Sequence, residues 1–442
     1  MKRCHLAVII AFAITLMTAG IVGATTSEYT LNDLYSLALK QAESIKIVEE
    51  NAEIAAASKG KAIAGLLPSV SLFYSENRFD EAKYAVTGAV VQPESSRAQG
   101  LRVDYRFSLG GREIIAYRMA SAQEQKVRLD IRDAKEAYLL AVGAGFYNLL
   151  KAKKAEDIAN TNLHRLGAYM QAAQSRLKVG EVTRTVLLRA QSEYSGAEAD
   201  QVKAKNAVDN VRHSLARMVN IQSDFDIIEQ EIAAPVEIND ISYYRDLALN
   251  NRDDLKALLM AARIADSAVT HTRVAHLPYI SLSGIVQKNE QNPQTASFLD
   301  ETKYTTVSIN IPLFEGGLRY QETAEAIAKR KQAQLAHEKL REEITTEVSS
   351  VYNDLLSIKS ALKYQSAQKD FAESNYEAVT KQFQYGLASS LDVIDANTLL
   401  LGAQRSLLET EYSFLSTILK MKRTTGTLLK GINASEEGTI SN

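Results

Sequence analysis

The stretch Leu101-Arg-Val-Asp-Tyr-Arg-Phe-Ser-Leu109 alternates apolar and polar side chains without a fault. A period of two predicts a β-strand with one apolar and one polar face. The polar face would carry Arg102, Asp104 and Arg106. Charges on that face are typical of a strand that lines a water-filled lumen while its other face meets lipid. Alternation alone is equally typical of a small soluble sheet with one wet face.

Three more segments alternate in the same way, so strands are predicted at about 67–78, 100–109, 278–288 and 304–314. Ser308 and Asn310 lie on the polar face of the last strand. The remaining sequence is predicted to be helical, which leaves no further strands for a sandwich. Four strands are too few for a closed barrel, and an open edge in lipid leaves backbone groups unpaired at several kcal/mol each. We therefore expect three chains to pool twelve strands, with loops at 80–98 and 289–303 outside the cell.

The chain is an internal duplication. Leu67-Pro68 recurs as Leu277-Pro278, 210 residues later, whereas Gly110-Gly111 and Gly180 recur 206 residues later as Gly316-Gly317 and Gly386. Landmarks that keep one order indicate two copies of one structural unit. The predicted layout is a first repeat at 25–220, a linker at 221–240, a second repeat at 241–428 and a C-terminal tail at 429–442.

Long helices are predicted at 111–178 and 317–384. A run of about 67 residues reaches about 100 Å, more than a globular core needs. The second run carries a heptad seam, typical of a coiled coil, at Ile344, Val348, Val351, Leu355, Ile358 and Leu362. Shorter helices are predicted at 32–64, 184–220, 243–275 and 391–421. A soluble periplasmic coiled-coil scaffold would explain the heptads but not the strands that enter and leave them, and a passive porin would not need such helices.

The first 24 residues have the basic start, apolar stretch and small-residue cleavage site of a secretory signal. The single cysteine, Cys4, lies within it, which excludes disulfides and thiol chemistry from the mature chain. The sequence has 51 basic and 53 acidic residues; removing Lys2 and Arg3 leaves a net charge of −4, with no support for nucleic-acid binding. No metal-ligand pattern, phosphate loop or nucleophile elbow appears, so we expect neither an enzyme nor a cofactor.

Three stretches carry a resemblance to a known family. They are Leu67-Pro-Ser-Val-Ser71 with its echo Leu277-Pro-Tyr-Ile-Ser281, Pro312-Leu-Phe-Glu-Gly-Gly317, and Phe383-Gln-Tyr-Gly-Leu-Ala-Ser-Ser-Leu-Asp-Val-Ile-Asp-Ala396. With the duplication, the sequence resembles the TolC family of outer-membrane efflux proteins over nearly the whole mature chain. The resemblance implies an α+β membrane protein: a trimeric twelve-stranded β-barrel in the outer membrane, continued by a coiled-coil periplasmic tunnel.

The resemblance also implies partners, namely a periplasmic adaptor protein and an inner-membrane pump or ABC transporter. The protein would be an exit duct for efflux or type I secretion. The sequence does not name the cargo, because drugs, metal ions and polypeptides all leave through ducts of this type. The adaptor contact is predicted at Val179, Gly180, Tyr385 and Gly386, where the long helices end at a glycine.

Asp392 and Asp395 follow the second glycine and share a helix face. Taken alone, they are more typical of residues that complement a helix dipole. The resemblance implies instead an acidic gate, where three chains bring six carboxylates around one axis. The family pattern has an arginine and an acid near the two glycines, where this sequence has Ala388 and Val186. We therefore predict a differently built latch, in which Arg184 reaches an aspartate.

Overall fold

A computed structural model describes residues 27–222, 225–229 and 238–430 of the 442-residue chain. The predicted signal (1–24), much of the predicted linker (221–240) and nearly all of the predicted tail (429–442) lie outside the described residues. The chain forms two compact units. The turn unit comprises residues 27–42, 141–222, 225–229 and 358–416, and the strand unit comprises residues 43–140, 238–357 and 417–430.

The strand unit contains a four-stranded antiparallel sheet in the order β2-β5-β7-β8. Its strands are β2 (Ser69–Arg78), β5 (Ser95–Ser108), β7 (Tyr279–Asn292) and β8 (Glu301–Asn310). Along one row of the register, Ser69 pairs with Asp104, Asp104 with Ser283, and Ser283 with Thr306. Because paired residues share a face, successive rows of the register lie on opposite faces of the sheet.

Two strand pairs lie where none was predicted. The segment predicted as loop 80–98 contains the short hairpin β3 (Lys83–Tyr84) and β4 (Val90–Gln92) and the first residues of β5. In the turn unit, β1 (Ser27–Tyr29) pairs in parallel with β6 (Phe225–Ile227). The prediction that only four segments form strands was therefore wrong. Strands of two or three residues are too short to show an alternation, and β1 and β6 are stabilised by a partner about 200 residues away.

Helix α3 (Arg112–Lys178) and helix α7 (Leu318–Gln384) each run for 67 residues. After each comes a turn and then a shorter helix, α4 (Arg184–Val219) in the first copy and α8 (Ser390–Thr424) in the second. The part of the heptad seam within the strand unit is buried, at Ile344, Val348, Val351 and Leu355. The predicted coiled-coil character is confirmed, since these side chains are at most 2% exposed.

The helices predicted at 32–64 and 243–275 are each interrupted by one extended residue. Helix α1 (Leu31–Gln41) and helix α2 (Glu43–Ala64) flank Ala42, whose φ is −62° and ψ 125°. In the second copy, helix α5 (Ile241–Asn251) and helix α6 (Asp253–Arg273) flank Arg252, with φ −57° and ψ 123°. The prediction of unbroken helices was wrong at both places. The two breaks are 210 residues apart, the offset at which this part of the chain repeats.

Long-range contacts maintain the second break. The guanidinium of Arg252 binds Asp254 with two N–H groups (2.7 and 3.1 Å) and Glu347 with a third (2.6 Å), and its side chain is 8% exposed. Ala42 is 2% exposed and its N–H bonds the carbonyl of Ala38. Neither break has a glycine or proline from which it could be predicted. Among the described residues, no helix combines the length and apolar character needed to cross a membrane.

Candidate functional site

The long helices of the turn unit end at two turns with the same backbone geometry. Gly180 has φ +81° and Gly386 has φ +76°, a left-handed conformation that strains any residue with a side chain. The residue after each glycine donates its N–H to the carbonyl five residues back, Glu181 to Arg176 (2.9 Å) and Leu387 to Gln382 (2.9 Å). This pattern is the Schellman motif, which satisfies the last carbonyls of a helix. We call these segments the first turn (179–183) and the second turn (385–389).

Apolar side chains at both turns are left in solvent. Val179 is 71% exposed in the first turn, and Tyr385 and Leu387 are 82% and 79% exposed in the second. These side chains lie beside the positive-φ glycines, where the chain reverses direction. Apolar side chains clustered at an exposed turn are typical of a surface that binds another protein.

Asp392 is a helix-capping residue. Its side chain accepts the backbone N–H of Ser389 (2.7 Å), and its own N–H bonds Oγ of Ser389 (3.3 Å). The two reciprocal bonds form a capping box at the start of α8. The hydrogen bonds from the side chain and backbone of Ser389 hold the pKa of Asp392 below its ordinary value. Asp392 is therefore ionised at neutral pH, and it serves the helix terminus whatever its role in a gate.

The other predicted gate residues lie free on the surface. Asp395 is exposed one turn further along α8, and Arg184 is exposed in the first turn of α4. Within the described residues of the single chain, no ion pair joins Arg184 to either aspartate. The latch between Arg184 and an aspartate stays a prediction.

Arg176 joins the two turns. From the last turn of α3, its Nη1 donates to the carbonyl of Phe383 (2.9 Å) and its Nη2 to the carbonyl of Gln384 (3.0 Å). The guanidinium carbon also lies 4.4 Å from the centre of the Phe383 ring. The sequence does not single out Arg176. The only local feature is a cation in the last turn of α3, which suggests an interaction with a helix C-terminus. It does not indicate that the helix end in question is that of α7.

A small apolar cluster lies beneath the turns, and α3, α4, α7 and α8 each contribute to it. Its buried members are Tyr169, Ala173, Ala190, Phe383, Val393 and Ile394. The hydroxyl of Tyr169 donates to the carbonyl of Ser390 (3.2 Å), and its ring packs 5.7 Å from that of Phe383. Val186 and Ala388, at which the sequence departs from the family pattern, are partly buried against this cluster. At these two positions the resemblance implied polar side chains, whereas this protein has apolar packing.

The residues predicted to line a lumen share one face of the sheet. The register places Arg102, Asp104 and Arg106 of β5 on the face that also carries Ser308 and Asn310 of β8. Two of the arginines lie over aromatic rings of the same face, Arg102 at 5.4 Å from Phe73 and Arg106 at 3.8 Å from Tyr279. The face is thus basic and aromatic. The opposite face is apolar and exposed, with Val70 at 64%, Leu72 at 84%, Val307 at 65% and Ile309 at 65%.

The described residues contain no group of three or more histidine, cysteine or acidic side chains arranged to hold a metal ion. His271 of the strand unit accepts a hydrogen bond from Nε of Arg112 (3.2 Å), and burial together with this neighbouring charge lowers its pKa. We therefore assign His271 a structural role, as the acceptor of a hydrogen bond from Arg112.

Comparison with known proteins gives concordant results. The model of a family described as outer membrane efflux protein matches residues 34–220 and 244–427. The chain is 21% identical to the outer membrane protein TolC of Vibrio cholerae over 377 residues, covering 83% of each. It is 23% identical over 317 residues to the alkaline protease secretion protein AprF of Pseudomonas aeruginosa, covering 71% of this chain and 66% of that protein, just under two thirds of its length. The crystal structure of the CmeC outer membrane channel of Campylobacter jejuni has a TM-score of 0.79 at 20% identity, covering 90% of this chain and 86% of that one.

The long helices and the amphipathic four-stranded sheet are a fold that this chain shares with a solved outer-membrane channel. The chain belongs to the outer membrane efflux protein family. Its relatives are outer-membrane channels and secretion proteins, and the protein is not an enzyme.

Proposed function

We propose that this protein is the outer-membrane exit duct of an efflux or type I secretion system, assembled from three identical chains. Each chain would contribute four strands to one twelve-stranded barrel, and the helices would continue it as a periplasmic tunnel. A periplasmic adaptor would bind the tunnel and connect it to an inner-membrane pump or ABC transporter. The names of the relatives, which include a protease secretion protein and an efflux protein, support both kinds of export.

The sheet carries the proposal. Its outer strands β2 and β8 each have one edge that pairs with no other strand among the described residues. One face is apolar and exposed, as lipid requires, and the other holds charged side chains, as an aqueous lumen requires. Unpaired strand edges in lipid cost several kcal/mol per backbone group, so they must meet other strands. Three copies joined through β8 and β2 would satisfy every edge.

The experiment is fractionation followed by electrophoresis of unheated and heated samples. An exit duct is expected in the outer-membrane fraction as a trimer that resists detergent and dissociates on heating. A protein recovered from the soluble periplasm as a monomer would contradict the proposal and favour a coiled-coil scaffold.

The two turns are proposed as the adaptor contact. Val179 with Gly180 and Tyr385 with Gly386 present exposed apolar side chains on rigid, glycine-terminated helix ends. Replacing Tyr385 and Leu387 together by serine would remove the apolar surface and leave the glycines in place. We expect loss of export with normal trimer in the outer membrane. Unimpaired export would contradict the docking role.

Asp392 and Asp395 are proposed to form the resting gate. Three chains would gather six carboxylates, which attract cations and repel one another. Replacing both by alanine and recording single channels in planar bilayers tests the gate. Higher conductance and weaker cation selectivity are expected; unchanged values would exclude these residues from the gate.

A further inference from the structure

We propose that Arg176 is a positioning residue that fixes the second turn against the first, so that both turns form one docking surface. Arg176 lies in the last turn of α3, three residues before the first turn begins. Its side chain binds the end of α7. No other side chain in the described part of the chain connects the two turns by hydrogen bonds to backbone carbonyls. The docking consequence rests on the proposed function, whereas the positioning role does not.

The geometry suits the chemistry of a guanidinium. Its planar fork supplies two parallel N–H groups to two successive carbonyls, and its face lies against the ring of Phe383. The carbonyls belong to the last turn of α7, where the helix dipole places partial negative charge. The side chain of Arg176 is only 22% exposed, so little water competes for these bonds. An ammonium group has no planar fork, so it cannot donate two parallel N–H bonds to both carbonyls while a flat face lies on the ring.

We call the contacts of Arg176 with the end of α7 the clamp. Among the described residues, the second copy of the duplicated chain has no matching contact. With the 206-residue offset, the position that matches Arg176 is Gln382, an exposed side chain whose backbone carbonyl already accepts the N–H of Leu387. The first copy thus supplies the clamp and the second copy supplies the surface that it holds. Tyr385 comes directly after the two clamped carbonyls and Leu387 two residues later, so the position of both side chains follows that of Arg176.

Glu181 adds a weaker contact to the clamp. Its carboxylate lies 3.9 Å from Nε of Arg176, is 64% exposed, and belongs to the first turn itself. An ion pair with such an exposed partner contributes little. The bonds to the carbonyls and the ring contact are therefore the interactions that position the second turn.

The test is a distance measurement between spin labels in the intact trimer. Val179→Cys and Leu387→Cys, in a Cys4→Ser background, place one label on each turn at exposed positions. Labelled chains are diluted with cysteine-free chains so that the distance within one chain dominates. The parent is expected to show one narrow distance distribution. Arg176→Ala should broaden it at least twofold, and Arg176→Lys should broaden it to an intermediate extent.

Two matched variants serve as controls. Lys178 is an exposed cation two residues after Arg176, so Lys178→Ala removes the same charge without touching the clamp. Glu181→Gln removes the exposed ion pair and keeps the clamp. Both should leave the distribution unchanged. If Arg176→Ala and Arg176→Lys both retain the narrow distribution, the positioning role is refuted. Failure of the wild-type protein, without the label cysteines, to support export would refute the proposed function and leave the distance result standing.

Discussion

The side-chain amide of Asn397 donates a hydrogen bond of 2.8 Å to the side-chain oxygen of Asn162, and both residues are at most 5% exposed. The pair lies between α8 and α3 in the turn unit. The remaining oxygen of Asn397 is buried without a partner among the described residues. A buried polar pair of this kind specifies one alignment of two helices and contributes less to stability than its hydrogen bond suggests.

The asparagine pair gives a prediction about coupling. Asn162→Leu alone should destabilise the protein by about 1–3 kcal/mol, because it leaves the amide of Asn397 buried and unpaired. Asn162→Leu with Asn397→Leu should recover most of that loss. Thermal melts of the detergent-solubilised protein measure both. A double variant that is as unstable as the sum of the single ones would show that the two side chains act independently.

The capping box separates a structural from a gating role at the start of α8. Ser389→Ala removes one bond of the box and should cost about 1 kcal/mol of stability without changing cation selectivity. Asp395→Asn removes a surface charge outside the box and should lower selectivity without changing stability. Melting curves and single-channel recordings on the same preparations check the pair of outcomes. Equal effects of both variants on selectivity would show that helix integrity alone sets the gate.

The pKa values of Asp254 and Glu136, both in the strand unit, are shifted in opposite directions. Burial acts to raise the pKa of Asp254, but the hydrogen bonds and the charge of Arg252, together with the N–H of Leu255, lower it below its ordinary value. Burial raises the pKa of Glu136 above its ordinary value, even though Glu136 accepts the backbone N–H of Leu429. The stability due to Asp254 is present above its unfolded pKa of about 3.9 and lost as the pH falls through the lowered pKa. That due to Glu136 is present below about 4.3 and lost as the pH rises through the raised pKa.

The expected outcome is two opposite pH profiles. Asp254→Asn should destabilise the protein at pH 7 and less so as the pH falls below about 3.9. Glu136→Gln should gain stability relative to the parent as the pH rises from about 4 to 7. Urea titrations at a series of pH values give both profiles. Parallel profiles for the two variants would contradict the opposite pKa shifts.

The apolar packing of Val186 gives a prediction about stability. Val186→Asp would put a carboxylate against the apolar cluster of Tyr169, Phe383 and Val393. Destabilisation by about 2 kcal/mol is expected, since burying a polar group without a partner costs about 1–3 kcal/mol. Val186→Ala serves as the control for lost packing alone. A Val186→Asp protein with unchanged melting temperature would mean that the cluster admits water.

The sequence predicts the strands and long helices because their periodicity is local. The nine residues from Leu101 to Leu109 are enough to show a strand, and a heptad seam shows a coiled coil. The break at Ala42 has no glycine or proline to mark it, and the break at Arg252 escapes prediction because it involves a contact with the distant Glu347. Arg176 escapes for the same reason, since 207 residues separate it from Phe383. Asp392 was recognised by its spacing, but its reciprocal bonds with Ser389 became visible only in the structure.

The trimeric barrel is tested most directly by crosslinking the open edges of the sheet. In the Cys4→Ser background, Ser71→Cys on β2 is combined in turn with Thr302→Cys, Tyr304→Cys, Thr306→Cys or Ser308→Cys on β8, all on the polar face. Tyr105→Cys with Leu282→Cys, paired within one chain on the central strands, is the control. At least one edge pair should give a covalent trimer on a non-reducing gel, whereas the control gives a monomer with an internal disulfide. If no edge pair gives a covalent trimer while the control pair oxidises, β2 and β8 of neighbouring chains do not meet and the barrel is not built as proposed.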